Sequence, residues 1–122
     1  MSVAKYVFAT TVLFGFLGFA SAASAAPCDE CWSVSNPDGS KLRGFGVDSI
    51  THNGDGVYTV HFARTLNTCS WVGTIGQGQF GANSDPGFIT VSGKNQLALT
   101  VKTYDTGGEP SDRAFSVQVE CK

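Results

Sequence analysis

The sequence predicts an all-β protein, an antiparallel β-sandwich or flattened barrel of about six to seven short strands, disulfide-stabilised, behind a cleaved signal peptide. Three observations predict it. Apolar and polar residues alternate in run after run, with Gly, Asn, Asp and Pro between the runs. Beyond the first 26 positions no stretch carries a helical period of useful length. Four cysteines follow an export signal, and two of them fall on the apolar sets of separate runs.

The chain opens with "MSVAKYVFATTVLFGFLGFASAASAA". Lys5 precedes an apolar run from Tyr6 to Ala20, and both Ala20-Ser21-Ala22 and Ala23-Ser24-Ala25 fit the A-x-A cleavage pattern. That run is shorter than the roughly 20 residues a membrane-spanning helix needs. Residues 1–26 are therefore expected to be a signal peptide, leaving no membrane anchor after cleavage. Pro27 before Cys28 argues against a lipid-bearing cysteine. The mature protein is expected to be secreted, extracellular or periplasmic. The plain signal and the lack of any Asn-x-Ser/Thr acceptor point to a bacterial source.

What remains suffices for one small domain. Residues 27–44 read as an N-terminal segment holding Cys28 and Cys31, with the polar stretch "NPDGSKLRG" (36–44) as a loop. Residues 45–122 read as the β-sandwich domain. Its first strand runs near "FGVDSIT" (45–51), and Asn53-Gly54-Asp55-Gly56 supplies a hairpin turn. In "GVYTVHFAR" (56–64) Tyr58, Val60 and Phe62 face inward, while Thr59, His61 and Ala63 face out. "CSWVGTI" (69–75) groups Cys69, Trp71, Gly73 and Ile75. "GFITVS" (87–92) follows the turn at Ser84-Asp85-Pro86-Gly87. "QLALTVKTY" (96–104) turns Leu97, Leu99, Val101 and Thr103 inward, and "AFSVQVEC" (114–121) does so with Phe115, Val117, Val119 and Cys121. Single apolar faces on antiparallel strands must be covered by a second layer, hence the sandwich.

Alternation also pairs the cysteines. Cys69 and Cys121 share inward sets, and Cys28 lies beside Cys31, so Cys69–Cys121 and Cys28–Cys31 are the expected bridges. The first closes a loop of about 50 residues, worth roughly 4 kcal/mol by the loop-entropy argument. Pairings that tie Cys28 or Cys31 to Cys69 or Cys121 remain open at this level. The C-x-x-C spacing is not that of a redox site here. Asp29 and Glu30 would raise a thiol pKa, and no βαβ pattern surrounds the pair. His52, His61, Cys69 and Cys121 are too scattered for a zinc site, so no metal and no cofactor is expected.

Composition narrows function further. Eight basic residues stand against ten acidic ones, a net charge of −2, and no basic cluster occurs, which disfavours nucleic acid. There is no G-x-S-x-G elbow and nothing ties His52 or His61 to a nucleophile, so no catalytic residue is assigned. Asp112 and Arg113 are expected to form an ion pair ahead of the last strand. Tyr58, Phe62, Trp71 and Phe115 belong to the core, whereas Trp32, Phe80 and Tyr104 fit no inward set. Phe80 lies in the Gly-rich loop "QGQFGANSDPG" (77–87), and "DTGGEPSDR" (105–113) forms a second loop. Gln79, Phe80, Asn83, Asp85 and Tyr104 are the candidate binding residues.

From Gly56 onward the pattern G-x-Y-x-V-x-F-x-R, then Cys69, Pro86-Gly87-Phe88, "TVS" and "DRAFSVQVEC" resembles a group of small secreted bacterial proteins of uncharacterised role. More remotely it is similar to β-sandwich tip domains of phage tail fibres. The resemblance implies a sandwich, a Cys69–Cys121 bridge and a non-catalytic role. The expected function is a secreted binding module recognising a glycan or protein partner through exposed loops. The alternatives are a structural subunit of an extracellular or surface assembly, which would form homo-oligomers, and a small hydrolase or thiol oxidoreductase.

Overall fold

The computed structural model describes residues 28–122, so the expected signal peptide lies outside the described residues. Eight strands form: β1 (Glu30–Ser35), β2 (Lys41–Phe45), β3 (Val47–Gly54), β4 (Val57–Phe62), β5 (Cys69–Ile75), β6 (Phe88–Asn95), β7 (Ala98–Tyr104) and β8 (Phe115–Cys121). They make two four-stranded antiparallel sheets, one in the order β2-β1-β8-β5 and the other β3-β4-β7-β6. No helix occurs among the described residues.

Eight strands replace the six to seven expected. The two additional ones, β1 and β2, come from the segment read as an N-terminal preface and loop, of which only residues 36–40 turn. The reason is an inverted pattern. β1 pairs in register with β8, so Cys31, Ser33 and Ser35 face inward opposite Val119, Val117 and Phe115. Its larger apolar residues, Trp32 and Val34, therefore lie on the outer face, where Trp32 is open to solvent and Val34 is buried against the chain at Gly78. A reading that assigns apolar residues to the core cannot see such a strand.

Elsewhere the apolar set does face in. Tyr58, Val60, Leu99, Val101, Phe115 and Val117 are fully buried, and Val47, Phe62, Leu66 and Val119 complete one cluster fed by both sheets. Burying each such side chain contributes about 1.5–3 kcal/mol. Two layers thus enclose a single core, as a sandwich does. Leu97 departs from its expected inward place. β7 begins at Ala98, two residues later than expected, and Leu97 sits exposed in the β6–β7 turn. Thr59, on the outer set, is nevertheless buried, because Asn53 accepts its hydroxyl hydrogen at 2.7 Å and Lys94 Nζ donates to it at 3.3 Å.

Both expected bridges form, Cys28–Cys31 and Cys69–Cys121, and no cysteine among the described residues is free. Cys69 and Cys121 are directly opposed cross-strand partners, with Cα atoms 4.0 Å apart. The Cys28–Cys31 bridge is a buried part of the core. It packs on Gly46, the one residue between β2 and β3, where the chain passes from one sheet to the other. Gly46 has φ +75°, and a Cβ there would overlap Cys28 Sγ and approach Cys31 Sγ to 2.9 Å. Arg64 closes the same end by donating to the Cys28 carbonyl at 2.6 Å.

Candidate functional site

The inverted pattern of β1 has a surface consequence. Trp32 is the register partner of Phe45 on β2 and of Gln118 on β8, and Gln118 in turn faces Val72 on β5. Partners in an antiparallel ladder project to the same side. Phe45, Trp32, Gln118 and Val72 therefore form one row across the outer face of the β2-β1-β8-β5 sheet. At a strand spacing of about 4.8 Å the row is about 14 Å long. Phe45 is 59 % exposed, Val72 60 % and Trp32 36 %, three of the six large hydrophobic side chains that stand most open to solvent.

Polar rows flank it. On one side lie Glu30, Glu120 and Ser70, again in mutual register. On the other lie Arg43, Val34, Ser116 and Thr74. Two adjoining hollows of about 480 and 430 Å³ occupy the face, one toward Glu30, Ser70 and Glu120, the other toward Val34, Thr74 and Ser116. Trp32, Val72 and Gln118 line both and form the floor they share, with Phe45 at the end of the row outside either hollow. Small-ligand sites have volumes of this order and combine apolar walls with a few convergent polar groups.

The long crossover from β5 to β6 borders this face. Gly78 lies against Val34 and Leu42, and Arg43 donates to its carbonyl at 2.9 Å. Phe80 is 99 % exposed, and the Arg43 guanidinium carbon stands 5.9 Å from its ring centroid, within cation–π reach. Of the five candidate binding residues, Gln79, Phe80, Asn83 and Asp85 share this crossover and are exposed. Tyr104 is separate. It lies half-buried on β7, opposite Phe88, on the outer face of the other sheet. None of the five lines the two hollows. Of the residues that do, Val72, Gln118 and Glu120 were legible only as the outward halves of alternating runs, and Glu30 and Trp32 fall on a strand whose pattern the sequence does not show.

A second polar constellation closes the opposite end of the molecule from Gly46. The Asp112 carboxylate accepts from the Gly56 amide at 2.6 Å and hydrogen-bonds His52 Nε2 at 2.9 Å. His52 stacks on Tyr58 with centroids 4.9 Å apart, and the Tyr58 hydroxyl donates to the Pro37 carbonyl at 2.6 Å. Desolvation works against ionisation of Asp112, but the Gly56 and His52 bonds outweigh it and hold its pKa below 3.8. Burial, with the Asp112 charge nearby, pushes the Tyr58 phenol up to about 12. Each of these side chains is bonded to another part of the chain, which is the character of a structural clasp. The expected Asp112–Arg113 ion pair does not form. Arg113 instead donates to the Pro86 and Asp112 carbonyls and to Ser111 Oγ. His61 lies on the outer face of β4, where it shares a 3.2 Å hydrogen bond with Thr51 Oγ1. No group of three or more His, Cys, Asp or Glu side chains is placed to hold a metal among the described residues. Comparison of the chain with known protein families, with curated proteins and with solved structures finds no match.

Proposed function

We propose that the protein is an exported, non-catalytic binding module that takes a glycan on the outer face of the β2-β1-β8-β5 sheet, with Phe80 at its border. The observation that carries this reading is the exposed row Phe45–Trp32–Gln118–Val72. A small domain gains about 1.5–3 kcal/mol from each large apolar residue it buries. This one holds inward positions of β1 with serines and leaves a tryptophan outside. Indole and phenyl faces stack against the C–H faces of sugar rings, while Gln118, Ser70 and Thr74 offer hydrogen bonds to hydroxyls.

Size favours a glycan over a folded protein partner. Three rows at about 6.7 Å spacing and about 14 Å length cover roughly 200 Å². A stable protein interface needs about 800 Å² per side. Two disulfides in so small a domain fit an oxidising, extracytoplasmic setting. Burial of both Cys28 and Cys31 supports a structural bridge over a thiol oxidoreductase, whose attacking sulfur must be reached by its substrate.

The test is retention on immobilised polysaccharides, followed by titration of an oligosaccharide that binds. W32A/F45A is expected to weaken binding at least tenfold while the domain still folds and unfolds cooperatively. Retention equal to the native protein's would refute the assignment of the face. If sedimentation shows a dimer that W32A/F45A dissolves, the face joins copies of the chain and the assembly reading replaces this one.

A further inference from the structure

The groove half at Glu30 and Glu120 is charged as well as aromatic, and that charge is not balanced within the fold. Glu30 and Glu120 are direct cross-strand partners. Their Cβ atoms are therefore about 4.5–5.5 Å apart, the arrangement in which like charges destabilise a sheet. Neither makes an ion pair among the described residues. The two pairs that form are His52–Asp112 and Arg64–Asp29. Lys122, two positions beyond Glu120, makes none either, although its backbone amide bonds the Thr68 carbonyl. Both carboxylates line the 480 Å³ hollow together with Trp32, Ser70 and Gln118.

We infer that this hollow takes a protonated primary amine carried on the glycan, so that the preferred ligand is an oligosaccharide of unacetylated amino sugars. The inference rests on the reading of the face as a glycan site. A cation between Glu30 and Glu120 relieves their repulsion and offsets one of the two charges. The Trp32 ring beside them adds attraction through its negative face. Gln118 and Ser70 supply partners for the ring hydroxyls. The face is also polarised along the strands, carboxylates at one end and Arg43 at the other, which gives a bound chain a direction. A neutral or acetylated sugar leaves the carboxylate pair uncompensated, and an anionic one adds to it.

Calorimetric titration of the folded domain with glucosamine oligomers, and with N-acetylated oligomers of equal length, tests this below the amine pKa. Binding of the amine form is expected to be at least tenfold tighter, and the advantage should shrink as salt rises. E30Q/E120Q should abolish the advantage, bringing the affinities for the two oligomers together. The same variant should unfold at a higher urea concentration than the native protein, because the repulsion is gone. A lower midpoint would make the carboxylates structural and overturn the inference. Equal or tighter binding of the acetylated oligomer overturns it too while leaving the glycan reading standing. No binding of either oligomer, with retention on another polysaccharide, does the same. No glycan binding of any kind overturns both. Oligolysine that binds more tightly and displaces the amino sugar would show that the cation belongs to a peptide and reject the glycan occupant.

Discussion

Replacing Gly46 by alanine should be among the most damaging single-methyl changes in this domain, and its cost separates into two parts. Gly46 has φ +75°, where an L side chain costs about 1–2 kcal/mol. The added Cβ would also overlap Cys28 Sγ and stand 2.9 Å from Cys31 Sγ and 3.1 Å from Cys28 Cβ. Those atoms are buried and bonded to each other, so they cannot swing away as the tip of a lysine could. Overpacking of this kind costs about 1–3 kcal/mol. The sum is about 2–5 kcal/mol. Gly54 is the control, because a Cβ there meets nothing within 4 Å, and G54A should change stability by less than about 0.5 kcal/mol. Urea unfolding followed by fluorescence of Trp32 and Trp71 measures both. Repeating G46A in a C28A/C31A background completes a double-mutant cycle. With the sulfurs gone most of the steric part should vanish, only the 3.1 Å approach to the Cβ of residue 28 remaining, which leaves about 1–2 kcal/mol from the backbone and a coupling of about 1–3 kcal/mol. A coupling under about 0.5 kcal/mol would show that Gly46 and the bridge do not press on each other, and the account of this corner would fail.

Three further outcomes follow from the same structure. C69A/C121A opens a loop of sequence separation 52 and should lose about 4 kcal/mol in urea unfolding; a loss below about 1 kcal/mol would contradict the loop-entropy argument. Asp112 titrates lower when folded than when unfolded, so its bonds stabilise above pH 3.8 and that contribution disappears as pH falls below it; D112N should flatten the acid limb of the stability profile, and an unchanged limb would refute the assignment. Phe80 is 99 % exposed, so F80A should move stability by less than about 0.5 kcal/mol, and a larger loss in calorimetry would make it part of the core.

Five of the strands, β4 to β8, were legible as alternation, and β3 by the hairpin turn that follows it, since a register shift leaves its core-side Val47 and Ile50 three positions apart. The Cys69–Cys121 pairing followed from the same rule, since both cysteines fall on inward sets and the ladder places them opposite one another. β1 and β2 escaped for a related reason. On β1 the inward positions carry Cys31, Ser33 and Ser35, and β2 is five residues long, holds Gly44 and has a register shift opposite Val34 and Ser35. The candidate site was hidden by the very feature that creates it, apolar side chains turned to water. Trp32 fitting no inward set was the available sign. The loop residues around Phe80 were readable from composition alone, but their proximity to Arg43 depends on a contact 37 positions apart that no local pattern encodes. The His52–Asp112 bond, 60 positions apart, is illegible for the same reason.

The two ends of the sandwich are closed by different means. Both sulfur bridges gather where Gly46, Arg64 and the tail of β8 meet, while the far end relies on the His52–Asp112–Gly56 contacts and the Tyr58 hydroxyl. Opening fluctuations should start where no covalent link must be stretched, so amide exchange should form a gradient, fastest near residues 36–40 and 105–113 and slowest beside Cys31 and Cys69. Trp32 lies one residue from the slow end. The part of the surface assigned to recognition is thus the part held still by chemistry that neither acid nor modest warming reverses.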